Sequence, residues 1–179
     1  VNDDSHGLLA SVEYCWREQG LPIPDEFGWN VESTVPIGQG LKSSSALSCA
    51  ALRALNSYAW TGLSNSEIAD LSAKSQLMSS CAITGSMDDN WASLEPGWKL
   101  VDPSLGASDS IIIQGEVDDS LSVLVCLRGE RSREISLTRF SEQSQIFERS
   151  LASIMSGSAL DSLSSNGMAV SAATGDHEA

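Results

Sequence analysis

The segment of residues 36–46 holds the side chains best suited to binding an anion. We predict a strand before it and a helix after it, so its glycines lie where the chain enters a helix. The first N–H groups of a helix have no intrahelical partner, and the helix dipole adds partial positive charge there. Glycine lets the backbone approach an anion closely, a serine hydroxyl can ligate Mg²⁺, and lysine adds positive charge. The segment is therefore a candidate phosphate-binding loop, formed by Pro36, Gly38, Gly40, Leu41, Lys42, Ser43, Ser44, Ser45 and Ala46.

This loop differs from the two commonest phosphate-binding motifs. Leu41 separates Gly40 from Lys42, whereas a Walker A loop needs glycine and lysine side by side. Ser43 stands where a dinucleotide-binding fingerprint has its third glycine. On spacing alone, a glycine-rich turn leading into a serine-capped helix, with no ligand, remains an equal alternative.

A second segment, residues 84–90, places two carboxylates next to each other at Asp88 and Asp89. One such carboxylate can accept the proton of a substrate hydroxyl, or orient that hydroxyl, beside Mg·ATP. Neighbouring aspartates in a turn also commonly cap a helix. Taken alone, the segment leaves both interpretations open.

Composition argues against several other functions. The two histidines, His6 and His177, lie at opposite ends of the chain, which disfavours a Ser-His-Asp triad or a histidine metal site. A formal net charge of −14 disfavours binding to nucleic acid or to an anionic membrane surface, and no apolar run is long enough to span a membrane. The four cysteines have no metal-ligand spacing and lie in apolar contexts, which is typical of small hydrophobic residues in a reducing cytoplasm.

Periodicity and turn signals predict the elements that position these residues. We predict helices over residues 5–19, 43–60, 64–80, 91–94, 140–155 and 160–173. We predict strands over residues 29–35, 98–101, 110–117 and 120–127. Ser64, followed three residues later by Glu67, is a capping box that begins the third helix. This order of elements predicts an α+β fold, with a new unit beginning near residue 116.

Together the two segments resemble the motifs of the GHMP kinases. The family's second motif reads Pro-x-x-x-Gly-Leu-Gly-Ser-Ser-Ala. Residues 40–46 read Gly-Leu-Lys-Ser-Ser-Ser-Ala, with Lys42 in place of glycine and Ala46 one place late. That variant resembles one branch, the archaeal-type shikimate kinases, whose Thr-Gly-Ala-Phe-Asp-Asp is similar to Thr-Gly-Ser-Met-Asp-Asp at residues 84–89. Asn-Gly at 166–167 and Ala-Thr-Gly-Asp at 173–176 resemble a further region of that branch.

The resemblance implies an enzyme that transfers the γ-phosphate of ATP to the 3-hydroxyl of shikimate, in chorismate and aromatic amino acid biosynthesis. It implies that the loop binds the ATP phosphates, that Ser44 ligates Mg²⁺ and that Asp88 is catalytic. Asp89 is a competing choice, because the alignment slides easily by one residue. Several relatives place a glutamate ligand on the preceding helix, but residues 76–79 contain no carboxylate here.

The resemblance also implies a two-domain α/β sandwich cut at both ends. Residues 1–115 would be the N-terminal, ATP-binding domain without its first strands, and residues 116–179 the beginning of the C-terminal domain. The absence of an initiator methionine and the abrupt end at Ala179 agree with a fragment, and two of the three family motifs lie outside it. Other GHMP kinases, acting on homoserine or mevalonate, and a non-catalytic nucleotide-binding relative remain alternatives.

One basic cluster remains to be placed, and its role is open. A solvated loop is one interpretation, and binding of the shikimate carboxylate is the other. The cluster consists of Arg128, Arg131, Arg133 and Arg139. The sequence predicts no oligomeric state.

Overall fold

A computed structural model describes residues 4, 6–37, 39–82, 84–126 and 136–175. The chain divides into two compact units, Val1–Gly129 and Glu130–Ala179. The resemblance assigns residues 1–115 and 116–179 to the two domains of the family. The division into two compact units does not test that assignment, which stays a prediction.

Four helices build most of the first unit: α1 (Leu8–Glu18), α2 (Ser43–Ala59), α3 (Asn65–Met78) and α4 (Asp88–Leu94). Helices α1, α2 and α3 pack against one another, and α4 packs against α2 and α3. Their contacts enclose a core in which Trp16, Leu52 and Ile68 are almost completely buried. Burying an aliphatic side chain such as that of Leu52 or Ile68 contributes about 1.5–3 kcal/mol.

The rest of the first unit is a small sheet. Strand β1 (Trp98–Val101) pairs antiparallel with β2 (Ile111–Gly115), and Trp98 lies opposite Gly115. A short helix, α5 (Ala107–Ser110), leads directly into β2. Ser110 is buried at that junction, where its hydroxyl accepts a hydrogen bond from Trp91 Nε1 at 3.3 Å.

The second unit consists of α6 (Leu137–Glu142), α7 (Ser144–Met155) and α8 (Ala159–Thr174). Helices α7 and α8 pack together around Ile154, Ala169 and Ala173. The Ser150 hydroxyl donates to the Ser162 carbonyl at 2.8 Å and so fastens one helix to the other.

These elements confirm an α+β fold dominated by helices. Every predicted helix has a counterpart, and the predicted capping box of Ser64 and Glu67 is present at α3. The predicted helix 140–155 is wrong as one element, since the chain breaks at Gln143 between α6 and α7. Among the described residues no helix is both long enough and apolar enough to cross a membrane.

Two predicted strands are wrong, and a third is shorter than expected. Residues 29–35 form no strand, although Trp29 is partly buried and Asn30 exposed as the alternation implies. Residues 120–126, the described part of the predicted strand 120–127, form none either, and β2 ends at Gly115. Alternating apolar and polar residues indicate that one side of a segment is buried. A strand also needs a neighbouring strand for its backbone hydrogen bonds.

Candidate active site

The N-terminus of α2 is built by a change of backbone direction just before the helix. Gly40 has a φ of 76° and Lys42 a φ of 57°, so both adopt the left-handed conformation. A Cβ added at Gly40 would meet no atom within 4 Å, so the backbone there is openly accessible. Ser43 follows as the first helical residue, as predicted.

The first turn of α2 has no side-chain cap. Its N-cap residue, Lys42, makes no side-chain capping bond, and the turn contains no acidic residue. The Ala46 N–H donates to the Lys42 carbonyl at 3.1 Å, but the N–H groups of Ser43, Ser44 and Ser45 have no recorded partner among the described residues. Three donors at the positive end of a long helix are suited to an anion.

Helix α4 brings the predicted aspartates to this loop. Lys42 Nζ lies 2.7 Å from Asp89 Oδ2. This ion pair joins the two segments that the sequence singles out, which are separated along the chain by α2 and α3. Asp88 and Asp89 lie in the first turn of α4, which begins three residues earlier than predicted.

The two carboxylates have different surroundings. Asp88 is exposed and has no recorded hydrogen bond or ion pair within the described part of the chain, whereas Asp89 is partly buried. Burial raises the pKa of the Asp89 carboxyl above its ordinary value; the Lys42 ammonium lowers it, and the Asp88 charge raises it further. Asp88 is thus the carboxylate that faces solvent, and Asp89 is held by Lys42.

The serines of α2 turn toward α3. The hydroxyls of Ser44 and Ser45 both donate to Gln76 Oε1, at 3.1 and 3.0 Å. Ser45 is buried and Ser44 partly buried. Because the Ser44 proton points toward Gln76, the lone pairs of its oxygen remain available to a ligand.

These residues fit the phosphates and cation that the sequence implies. The uncapped first turn of α2, the open backbone at Gly40 and the Lys42 ammonium suit a polyphosphate, and Ser44 Oγ is a hard oxygen ligand of the kind that Mg²⁺ prefers. No group of three or more His, Cys, Asp or Glu side chains that could hold a metal by itself occurs among the described residues. The donor set therefore suits a cation that arrives with phosphates.

The structure places the other predicted site residues as follows. Pro36 is partly buried, Leu41 is exposed and Ala46 lies in the first turn of α2. Gly38 lies outside the described residues, as do His177, Arg128, Arg131 and Arg133. Arg139 lies in α6 of the second unit.

Two polar residues beside the site, Gln76 and Asn90, were not predicted from the sequence. Gln76 drew notice only because the family's glutamate is absent there. The signal was present in the spacing of α3, because Ile68, Ser72 and Gln76 recur every four residues and share one face. Burial of Ile68 implies burial of the two polar residues as well. All three are nearly inaccessible to solvent.

The similarity to known proteins includes both of these segments. A family model described as the GHMP kinases N terminal domain matches residues 8–97, which is 90 of the 179 residues. A curated shikimate kinase from Thermoplasma acidophilum is 33% identical over 111 residues, covering 62% of this chain and 40% of that protein. The chain therefore spans less than half the length of this relative. No solved structure matches.

Proposed function

The chain belongs to the GHMP kinases, and on that premise we propose that it is part of a shikimate kinase, which transfers the γ-phosphate of ATP to the 3-hydroxyl of shikimate. The Lys42–Asp89 ion pair carries this proposal, because it joins the loop at the N-terminus of α2 to the aspartates of α4. A site for phosphoryl transfer needs a phosphate-binding element and a carboxylate near the acceptor hydroxyl. The similarity to a shikimate kinase supports the choice of substrate.

In this proposal the N-terminus of α2 binds the phosphates of ATP. The N–H groups of Ser43, Ser44 and Ser45 donate to phosphate oxygens, and glycine at residue 40 lets the backbone approach them. The Lys42 ammonium pairs with Asp89 and also attracts the phosphates. These groups supply a local positive field, which reconciles ATP binding with a net charge of −14.

Asp88 is the proposed proton acceptor. The hydroxyl oxygen of shikimate forms a bond to the γ-phosphorus, the bond from that phosphorus to the β,γ-bridging oxygen breaks, and the hydroxyl proton passes to the Asp88 carboxylate. The exposed position of Asp88 supports this choice over Asp89, which Lys42 holds. Mg²⁺, which Ser44 would help to hold, supplies neutralising charge to the phosphates when bound.

The finer features of the proposal follow from the family. Residues 1–115 would belong to the N-terminal, ATP-binding domain and residues 116–179 to the beginning of the C-terminal domain of a two-domain sandwich. The enzyme would act in the cytoplasm on two small molecules, ATP and shikimate.

A substrate panel tests the proposal. ADP release by the full-length protein is measured with ATP and Mg²⁺ plus shikimate, homoserine, mevalonate or no acceptor, and the product is identified by mass spectrometry. We expect ADP release when shikimate is the acceptor, none with the other acceptors or without one, and none when EDTA removes Mg²⁺. Release with homoserine or mevalonate instead would assign another GHMP kinase activity, and ATP binding without turnover would assign a non-catalytic relative.

A further inference from the structure

A buried polar network lies directly beneath the proposed phosphate site. At its centre is Gln76, a residue that is only 4% exposed. Its Oε1 accepts from the hydroxyls of Ser44 and Ser45, and its Nε2 donates to Asn90 Oδ1 at 2.7 Å and to Ser72 Oγ at 3.2 Å. One amide thus contacts α2, α4 and its own helix.

The donors and acceptors of the network are arranged as follows, with Asn90 Nδ2 buried and without a partner among the described residues. The Ser72 hydroxyl also donates to Asn90 Oδ1 at 2.7 Å, and Ser48 Oγ lies 2.6 Å from Ser72 Oγ. Asn90 Oδ1 therefore accepts from the Ser72 hydroxyl and from Gln76 Nε2, and Cys49 Sγ lies 3.8 Å from the same oxygen. With Nε2 directed to Asn90, the oxygen of the Gln76 amide must face the two serines.

A glutamate at this position would not reproduce that arrangement. An ionised carboxylate is an acceptor only, so with Asn90 in its present orientation one carboxylate oxygen would face Asn90 Oδ1 at the 2.7 Å now spanned by a hydrogen bond. An apolar residue would leave both serine hydroxyls and Asn90 Oδ1 without this partner. In this network, an amide satisfies both sides at once.

We infer that Gln76 is a positioning residue, which holds the Ser44 hydroxyl proton away from the site so that the lone pairs of Ser44 Oγ face the cation that accompanies ATP. This inference rests on the proposed function, since it assumes that Ser44 is a cation ligand. Asn90 follows Asp88 and Asp89 in α4, so the same amide also ties the α2 serines to the helix that carries the carboxylates. Gln76 itself touches neither ATP nor the substrate.

A double-mutant cycle tests the inference by a binding measurement. Calorimetry on the full-length protein gives the ratio of the ATP dissociation constant in EDTA to that in excess Mg²⁺. We expect Ser44→Ala to lower this ratio, and Gln76→Leu to lower it about fivefold, the effect of one hydrogen bond. In the presence of Ser44→Ala, Gln76→Leu should lower it no further, because the two changes act on one interaction.

Ser45→Ala is the matched control. It removes the other hydroxyl that donates to Gln76 Oε1, but that hydroxyl is not a proposed cation ligand and the backbone N–H of residue 45 is retained, so the ratio should change less than about twofold. If Gln76→Leu does not fold, Gln76→Met fills similar space without hydrogen bonding and replaces it. Each variant's thermal unfolding is recorded beside its binding.

The outcomes separate this inference from the proposed function. An unchanged ratio in Gln76→Leu, an equal loss with and without Ser44→Ala, or an equal loss in Ser45→Ala would overturn the positioning role alone. A wild-type ratio near one, or an unchanged ratio in Ser44→Ala, would overturn the proposed cation site and the inference with it. A wild-type protein that passes the binding test but transfers no phosphate would overturn only the kinase activity.

Discussion

The N-termini of α2 and α3 begin with similar serine-containing turns but use their serines differently. At α3 the Ser64 hydroxyl accepts from the Glu67 N–H, and Glu67 Oε2 accepts from the Ser64 N–H at 2.8 Å. At α2 the Ser44 and Ser45 hydroxyls instead donate to Gln76 of a neighbouring helix. The first turn of α3 is thus closed by its own side chains, and that of α2 is left open.

Helix α1 shows what occupies such a turn when a carboxylate is present. The Asp4 carboxylate accepts from the N–H groups of Leu8, Leu9 and Ala10 at 2.9, 3.0 and 3.2 Å. Three N–H groups of one helix turn thus bind one anionic group within this chain. In this chain the N-terminus of α2 is a candidate anion site because its serine hydroxyls donate to Gln76 and its first turn contains no carboxylate.

The largest expected effect is on phosphoryl transfer, the reaction proposed to take place beside the first turn of α2. Asp88→Asn should lower turnover by about 10²- to 10⁴-fold, because the amide cannot accept the hydroxyl proton. Steady-state ADP release with shikimate measures the loss, and ATP binding should be nearly unchanged. Asp4→Asn at the closed end of α1 should leave turnover intact and lower only stability.

Asp89→Asn is the neighbouring control for that prediction. It removes the carboxylate that pairs with Lys42, so we expect a smaller loss of turnover than in Asp88→Asn. Near-normal turnover in Asp88→Asn with a large loss in Asp89→Asn would transfer the proton-accepting role to Asp89.

An intermediate effect is expected when a carboxylate is introduced into the uncapped first turn of α2. Ser43→Asp places a carboxylate at the first turn of α2, which should weaken ATP binding by about tenfold or more and stabilise the helix by about 0.3–1 kcal/mol. Calorimetry and urea denaturation measure the two effects. Ser66→Asp in the closed first turn of α3 is the matched control and should leave ATP affinity within about twofold.

Equal ATP affinities in wild type and Ser43→Asp would contradict the proposed role of the first turn of α2. The N-terminus of α2 would then not be the phosphate site, and its missing cap would have only a structural meaning.

The smallest expected effect is a pair of opposite pH dependences. The N–H and hydroxyl of Ser64 lower the pKa of the Glu67 carboxyl, so its stabilising contribution is present above the ordinary pKa of glutamate and is lost as pH falls through the lowered value. Burial raises the pKa of Asp89, so its contribution is fully present below the ordinary pKa of aspartate and is lost as pH rises through the raised value.

Urea denaturation between pH 3 and pH 8 measures this contrast in two variants. Relative to wild type, Glu67→Gln should become less stable as pH rises, and Asp89→Asn should become more stable as pH rises. Slopes of the same sign in the two variants would show that the two carboxylates do not differ in the way the comparison requires.

Local sequence signals predicted the helices of the first unit well. The capping box of Ser64 and Glu67 depends on residues three positions apart, and the start of α2 at Ser43 follows from the glycine-containing loop before it. The α4 boundary was predicted less well, because Met87 precedes the helix without a side-chain capping bond. The strand predicted at residues 29–35 failed for a non-local reason, since no described strand pairs with it.

Candidate residues for binding phosphate and accepting a proton could be predicted from the sequence, because those properties belong to residue types and short spacings. The family match covers both segments. Two contacts could be found only in the folded chain: Lys42 pairs with Asp89 rather than Asp88, and Gln76 Oε1 accepts from the Ser44 and Ser45 hydroxyls. These contacts join residues far apart along the chain, and only the packing of α2, α3 and α4 sets the distances between them.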